Sequence, residues 1–369
     1  MIPVFRPSMG DTEVKAVEEV LRSGWIGLGP KTKEFEDRFS EYVDVECAVG
    51  VNSCTAALHL ALTVMGVEGG EVITSPMSFI STNHAILYCN ARPVFADIEE
   101  DTLNIRADEI ERMINAKTKA ILAVHYGGHP CDMDAILAVA RDKGIMVIED
   151  AAHACGSEYK GRKIGSIGDA TCFSFHAVKN LATGDGGMIT VHDSDLESRI
   201  RRLCWLGISR GTWDRSDGQA YKWEYDVKEV GFKYHMNDII AAIGLVQLAK
   251  LDKANNRRKE IVTTYNEGFT DLDWVETPVE RDYASSANHN YVIKVLNGRR
   301  DELIAYLAGR EIAASVHYIP NHMYDIYRAY YRKLPIAETI WRKLVTLPLY
   351  PDLKDAEVEY VIETVREFK

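Results

Sequence analysis

The chain lacks several features that would assign its class at once. Its 369 residues include seven cysteines (Cys47, Cys54, Cys89, Cys131, Cys155, Cys172 and Cys204), yet no CxxC pair, and none lies beyond residue 204. An odd count without paired spacing argues against a disulfide framework or a structural zinc site and fits a reducing compartment. Basic residues are outnumbered, 43 Lys and Arg against 55 Asp and Glu, for a formal net charge of −12. Nucleic-acid binding draws on clustered Lys and Arg, so that role is not expected. A small anion stays compatible, because a pocket can be locally basic within an acidic protein. No run approaches the roughly 18 apolar residues that a membrane span needs. The opening MIPVFRPSMGDTEVKAVEEV meets acidic residues without an apolar core of the signal-peptide kind. These absences predict a soluble, cytoplasmic protein.

What is present predicts a large core. The length suggests two domains, at roughly 100–200 residues each. Hydrophobic residues at 46% and charged residues at 27% argue against disorder. CAVGV (47–51), EVITSPM (71–77), RPVFADI (92–98), AILAVHY (120–126), IMVIED (145–150), TCFSF (171–175) and GMITV (187–191) read as strands. TAALHLALTVMG (55–66), TNHAILYC (82–89) and MDAILAVARDKG (133–144) read as helices between them. This alternation predicts an α/β fold with a mostly parallel sheet, and strands that are nearly all apolar fit burial on both faces.

Residues 205–235 have weak periodicity and read as an irregular loop. A long helix follows over 237–269, with Ile239, Ala242, Ile243, Val246 and Leu248 expected as its buried stripe and KANNRRKE (253–260) as a solvated face. Beyond it, NYVIKVL (290–296) and IAASVHY (312–318) read as strands and RRDELIAYLAGR (299–310) as a helix, a small α+β unit. The expected division is 1–250 for the large domain and 251–369 for the small one.

Four windows bear on chemistry. In GDATCFSFHAVKNLATGDGGMITV (168–191), Lys179 follows an apolar strand and precedes a Gly-rich turn. Such a lysine either faces solvent or, desolvated, forms a Schiff base with a carbonyl cofactor. IMVIEDAAHACG (145–156) ends a buried strand in Glu149 and Asp150, with His153 three residues on. Ligands of open α/β sheets gather at such strand ends, and a carboxylate there could keep a pyridinium charged or simply cap a helix. In VNSCTAALHLAL (51–62), the backbone N–H groups of Cys54 and Thr55 open a helix and could face an anion. In SPMSFIST (75–82), Phe79 could stack on a planar ring or pack in the core. Two further runs mislead. His125, His129 and Cys131 in HYGGHPCD are explained by a tight turn without a metal, and GDGG (184–187) opens no helix in dinucleotide fashion.

Together, Asp150, His153, Ser174 and Lys179 in EDAAHA and FSFHAVKN…TGDGG resemble the pyridoxal-phosphate-dependent sugar aminotransferases of the DegT/DnrJ/EryC1/StrS family, within the fold-type I aminotransferases. SGWIGLGPKTKEFEDRF (23–39), NSCTAALHLAL (52–62), GFKYHMNDIIAAIGLVQL (231–248) and VHYIPNH (316–322) look like family blocks in family order. The resemblance implies a large domain with a mostly parallel seven-stranded sheet, an N-terminal substrate loop and a small C-terminal α+β domain. It implies pyridoxal 5'-phosphate as cofactor, joined to Lys179 as an aldimine. Asp150 matches the partner of the pyridine nitrogen, His153 a residue near the ring and its phenolic oxygen, and Phe79 the stacking aromatic. Cys54, Thr55 and Ser174 match positions that hold the phosphate. Lys233 stands where the family often has Asn reaching the neighbouring subunit's phosphate, which implies a homodimer with shared active sites. Trp25 and Ile26 look like the loop bordering the substrate, and Tyr318 and His322 like residues near the sugar or nucleotide.

The implied reaction takes an amino group from L-glutamate, through a pyridoxamine phosphate form, to a nucleotide-linked keto-sugar. A UDP-, dTDP- or GDP-linked 4-keto-6-deoxyhexose is the first expectation, in synthesis of amino sugars of the lipopolysaccharide or O-antigen kind. A 3-keto sugar, a cyclitol or a keto-octulosonate are alternatives. Family members that dehydrate sugars carry His at the position of Lys179, which argues against dehydration. A non-enzymatic sensor is disfavoured because no appended module is visible.

Overall fold

The structure is a computed structural model and describes residues 1–208 and 225–368. Among these residues, seven strands form the main sheet: β1 (Cys47–Val51), β2 (Glu71–Thr74), β3 (Arg92–Phe95), β4 (Thr118–Val124), β5 (Met146–Asp150), β6 (Ala170–Ser174) and β7 (Gly187–Val191). Their order is β1-β7-β6-β5-β4-β2-β3, and β7 alone runs against the rest.

Strand parity divides the core. On β4, Ile121 and Ala123 join one apolar cluster while Ala120 and Leu122 join the other. The first face is covered by α2 (Pro30–Val43) through Phe35, Phe39 and Val43, the second by α3 (Cys54–Val64) through Leu58 and Leu62. The same alternation separates neighbours on β5: Val147 belongs to the first face and Ile148 to the second. Glu149 and Asp150 therefore end the strand on opposite sides.

The expected strands and helices of the first 191 residues all form, with ends moved by a few residues. The helix expected over 55–66 is α3, that over 82–89 is α4 (Ile80–Tyr88), and that over 133–144 closes at Arg141. Of the expected loop 205–235, residues 209–224 lie outside the described residues; the described flanks pair as isolated bridges, Trp205 with Lys233, Ile208 with Val227 and His235 with Val51.

The long helix Asp238–Phe269 forms, but its buried stripe is not the expected one. Ala241, Ala242, Gly244, Gln247, Leu251, Ile261, Tyr265 and Phe269 are buried, whereas Ile239, Ile243, Val246 and Leu248 are half-buried. What lies opposite decides this. Phe35 sits against Gly244, where a Cβ would come within 2.7 Å of its ring. Gln247 is buried because its amide donates to Ser8 O (2.9 Å) and Glu13 Oε1 (2.7 Å). Likewise Arg258, expected on a solvated face, is buried, and desolvation pushes its guanidinium down to about 10.

Residue 250, the expected domain limit, lies inside this helix. Its first half packs on α1 (Asp11–Ser23) and α2, and Ile261, Tyr265 and Phe269 enter the core of the C-terminal unit. That unit carries a three-stranded antiparallel sheet of Val275–Glu276, Tyr291–Val295 and Leu344–Leu347. The strand expected over 312–318 is absent, and Leu344–Leu347 occupies the sheet instead. The 312–318 segment changes partner too soon to hold a ladder, bridging Ile2 at Ile312 and Thr346 at Ser315. Among the described residues no helix is long and apolar enough to cross a membrane.

Candidate active site

A cavity of about 340 Å³ opens at the carboxyl ends of the parallel strands, where open α/β sheets place ligands. Lys179, Asp150, His153, Ser174, Cys54, Thr55, Phe79 and Tyr318 all line it.

One end is the start of α3. The first N–H groups of a helix have no intrahelical acceptor, and the helix dipole adds positive potential there. Ser53 Oγ accepts from Ala56 N at 3.1 Å, so the cap uses a donor beyond Cys54 and Thr55. Ser174, ending β6, stands beside them in the lining, its Oγ 3.4 Å from His176 N. The close approach of β7 to this turn requires Gly187, where a Cβ would lie 2.7 Å from Ser53 C and 2.8 Å from Cys54 N.

Asp150 is buried across the cavity floor. Its Oδ2 accepts from Thr82 Oγ1 at 2.6 Å and its Oδ1 from Ala152 N at 3.1 Å. Burial pushes its carboxyl up, and the two hydrogen bonds and Lys179 pull it back down. A further cation beside it would be bound favourably, because its attraction for the carboxylate would offset the cost of burying that charge. Lys179 is half-buried in the turn after β6, its N–H bonded to His176 O at 2.8 Å. Desolvation brings its amine from 10.5 down to about 8, outweighing the attraction of Cys54 and Asp150. Near neutral pH such an amine exists partly as the free base, the form that attacks a carbonyl.

His153 is held neutral. Burial pushes it well below its ordinary value, with the Lys179 and His317 charges adding to the effect. Gly127 N donates to Nδ1 at 3.3 Å, which assigns the proton to Nε2, and Nε2–H then donates to Tyr318 OH at 3.1 Å. Phe79 does not enter the core: it is 61% exposed and its ring stands 6.3 Å from that of Tyr318.

Four expected residues lie off this cavity. Trp25 donates from Nε1 to Leu28 O at 2.9 Å and its indole covers Gly29, where a Cβ would be 2.1 Å from Nε1. Ile26 beside it is exposed. Lys233 has its backbone next to α3, with Asn52 Nδ2 3.3 Å from Lys233 O, but its amine lies 3.4 Å from the centre of the Trp205 ring. His322 is buried away from the cavity, with Nε2 3.2 Å from Glu338 Oε1 and its ring stacked 5.6 Å from Tyr331.

Other lining residues escaped the sequence reading. Phe5 stacks on His289 at 5.2 Å and meets His317 edge-on at 5.6 Å, closing one wall. His289 is fixed by Asn180 Oδ1 at 3.0 Å, next to Lys179 in sequence. Phe5 and His289 lie in unremarkable runs, and only the fold joins them. Thr82 carried a weak signal, being one helical turn from Phe79. His125 stands 2.9 Å from Glu149 Oε2 on the opposite side of β5, and among the described residues no group of His, Cys, Asp and Glu could hold a metal.

Comparison with known proteins agrees with this geometry. Residues 7–366 match the DegT/DnrJ/EryC1/StrS aminotransferase family. The chain is 45% identical to the spore coat polysaccharide biosynthesis protein SpsC of Bacillus subtilis, across 99% of this chain and 96% of that protein. It is similar to the sugar aminotransferase CalS13 of Micromonospora echinospora (32% identity, TM-score 0.92, 100% of both chains). It is also similar to a Streptococcus pneumoniae protein solved in PMP-form (36% identity, TM-score 0.93, 99% of this chain and 98% of that one) and in PLP-form. The residues present fit pyridoxal 5'-phosphate: a part-neutral amine for its aldehyde, a buried carboxylate for its ring nitrogen, and a helix N-terminus for its phosphate. This chain therefore belongs to the DegT/DnrJ/EryC1/StrS aminotransferase family, as a sugar aminotransferase that depends on pyridoxal 5'-phosphate.

Proposed function

We propose that the enzyme moves an amino group from L-glutamate to a nucleotide-linked keto-sugar, with a 4-keto-6-deoxyhexose as the acceptor. The observation that carries the chemistry is a lysine amine brought down to about 8 in the same cavity as the buried Asp150. The similarity to the B. subtilis spore coat polysaccharide biosynthesis protein supports a carbohydrate product. The seven free thiols support a reducing, cytoplasmic setting.

When bound, pyridoxal 5'-phosphate supplies an electron sink for the bond to the donor's α-hydrogen. In our reading Lys179 Nζ would hold the cofactor's aldehyde carbon and, as a free amine once the donor is bound, would take the proton from the donor's α-carbon and return it to the cofactor. Asp150 holds a proton on the ring nitrogen by staying ionised beside it. His153, neutral and bonded to Tyr318, offers a polar edge to the ring without adding charge. Cys54 and Thr55 bind phosphate through backbone N–H and Ser174 through its hydroxyl, while Phe79 covers the ring.

We also infer a homodimer in which Lys233 and the Trp25–Ile26 loop serve the other subunit's cavity. In support, Gly29 beneath Trp25 and Trp205 beneath Lys233 line one separate cavity, so the two absent groups share a face.

Three measurements test this reading. Borohydride should trap the cofactor at Lys179 and abolish a visible absorbance band, and Lys179→Ala should lose the trap and the amino transfer. Turnover retained in Lys179→Ala would sink the mechanism. A panel of UDP-, dTDP- and GDP-linked 4-keto and 3-keto sugars with glutamate decides the acceptor, and no turnover on any 4-keto substrate overturns the sugar assignment. Mixing Lys179→Ala with Lys233→Ala protomers should restore activity if the sites are shared, and a dead mixture contradicts sharing.

A further inference from the structure

One buried polar contact has no part in the reaction as proposed above. Thr82 sits in the first turn of α4, is 1% exposed and lines the cavity. Its hydroxyl donates to Asp150 Oδ2 at 2.6 Å, within the range of strong bonds to a charged acceptor. Its own N–H bonds Phe79 O at 3.2 Å, so one helical turn carries both the aromatic ring at the cavity and the hydroxyl at its floor. Asp150 Oδ1 is held from a different element, by Ala152 N at 3.1 Å in the turn after β5. The Cys54 thiol also points to Oδ1, at 4.0 Å. Donors on both oxygens fix the rotation of a carboxylate, and Oδ2, met by Thr82 alone, keeps a free lone pair.

We propose that Thr82 is a positioning residue for amino transfer, holding Asp150 ionised and in one orientation for the cofactor's ring nitrogen. The inference rests on the reading of Asp150 as that nitrogen's partner. Valine would fill the same volume, so packing alone does not call for threonine at this site. A buried hydroxyl costs free energy unless it is paired, and here its partner is the carboxylate. Among the bonds that lower the Asp150 carboxyl, that from Thr82 is the largest. The titratable groups facing Asp150 are Lys179, Cys54 on α3, Cys172 on β6, His125 after β4, and Tyr318; substitution at Thr82 leaves all of them in place.

The test uses holoenzyme loaded with cofactor labelled with ¹⁵N at the pyridine nitrogen, whose NMR shift reports protonation. Wild type should show the protonated shift across neutral pH. Thr82→Val should shift the proton from that nitrogen toward the Asp150 carboxylate by about ten- to a hundredfold, the value of a hydrogen bond to a charged group, so that the ¹⁵N shift moves toward the unprotonated value across neutral pH. It should also slow the half-reaction with glutamate about ten- to a hundredfold, and Thr82→Ser should restore both. Thermal melts with bound cofactor separate this from misfolding, and Thr82→Ala serves as a second variant if valine does not fold. A Thr82→Val enzyme with an unchanged ¹⁵N titration overturns the proposal, as does a Thr82→Ser enzyme that fails to restore it. An unprotonated nitrogen in wild type, or a protonated one in Asp150→Asn, would instead overturn the reading of Asp150 itself.

Discussion

Replacing Lys179 with methionine should make the cofactor-free protein more stable at neutral pH while abolishing its chemistry. Burial lowers the amine from 10.5 to about 8. At about 1.36 kcal/mol per pH unit, holding that amine charged at pH 7 costs the folded chain about 3 kcal/mol. The sign follows from proton counting. Unfolded, the lysine keeps its proton up to 10.5; folded, it releases it near 8. The unfolded state binds more protons in that window, so wild-type stability rises with pH across it, and the full penalty applies below about 8. Two effects reduce the gain. The side chain is only half-buried, and removing the amine takes away a cation that lowers the Asp150 carboxyl. A net gain of about 1–3 kcal/mol remains, with methionine filling the space flexibly. Urea unfolding of both cofactor-free proteins at equal protomer concentration, at pH 7, 9 and 10.5, measures it. The midpoint of the variant should be higher at pH 7, with the gap closing as pH approaches 10.5. A variant no more stable than wild type at pH 7, or a gap independent of pH, refutes the reasoning.

Two further substitutions probe the site's limits. Gly187→Ala drives a Cβ to 2.7 Å from Ser53 C and 2.8 Å from Cys54 N, backbone atoms that cannot step aside cheaply. It should cost about 1–3 kcal/mol of stability and, by displacing the N–H groups of α3, raise the cofactor Kd in a fluorescence titration; an unchanged Kd would show that this turn does not hold the phosphate. His322→Gln removes a 1% exposed ring that meets Glu338 and Tyr331 away from the cavity. It should lower stability by about 1–2 kcal/mol and leave the acceptor KM unchanged, whereas a raised KM with an unaltered melt would place His322 at the substrate.

The clearest parts of the fold in the sequence were those set by local pattern. CAVGV and GMITV became strands over the expected residues because nearly every position is apolar, both faces are covered, and the one hydroxyl, on Thr190, donates to Gly165 O at 2.7 Å. The helix after the polar turn at 52–53 started at its Ser53 cap. Where burial depended on a distant partner, periodicity misled. Gly244 and Gln247 are buried because Phe35 and Glu13 lie opposite, whereas the more apolar Ile239 and Val246 are only half-buried. The 312–318 run has strand composition, but its neighbours are the N-terminal Ile2 and then Thr346, and no ladder forms.

The active site divides along the same line. Motif order in the sequence determined the family and with it the cofactor, and pointed to Lys179, Asp150 and His153 as the residues proposed to serve it. Asp150 ends β5, and His153 and Lys179 lie in the turns that follow β5 and β6. Only the tertiary structure decided which side chains meet them. The Thr82 hydroxyl reaches Asp150 across 68 positions of sequence, and Tyr318 reaches His153 across 165. It also decided that Lys179 is desolvated enough to fall to about 8, and that Lys233 and Trp25 stand off the cavity of their own chain. Hydrogen-bond partners and desolvation depend on how distant segments close over one another, and residue spacing carries no record of that closure.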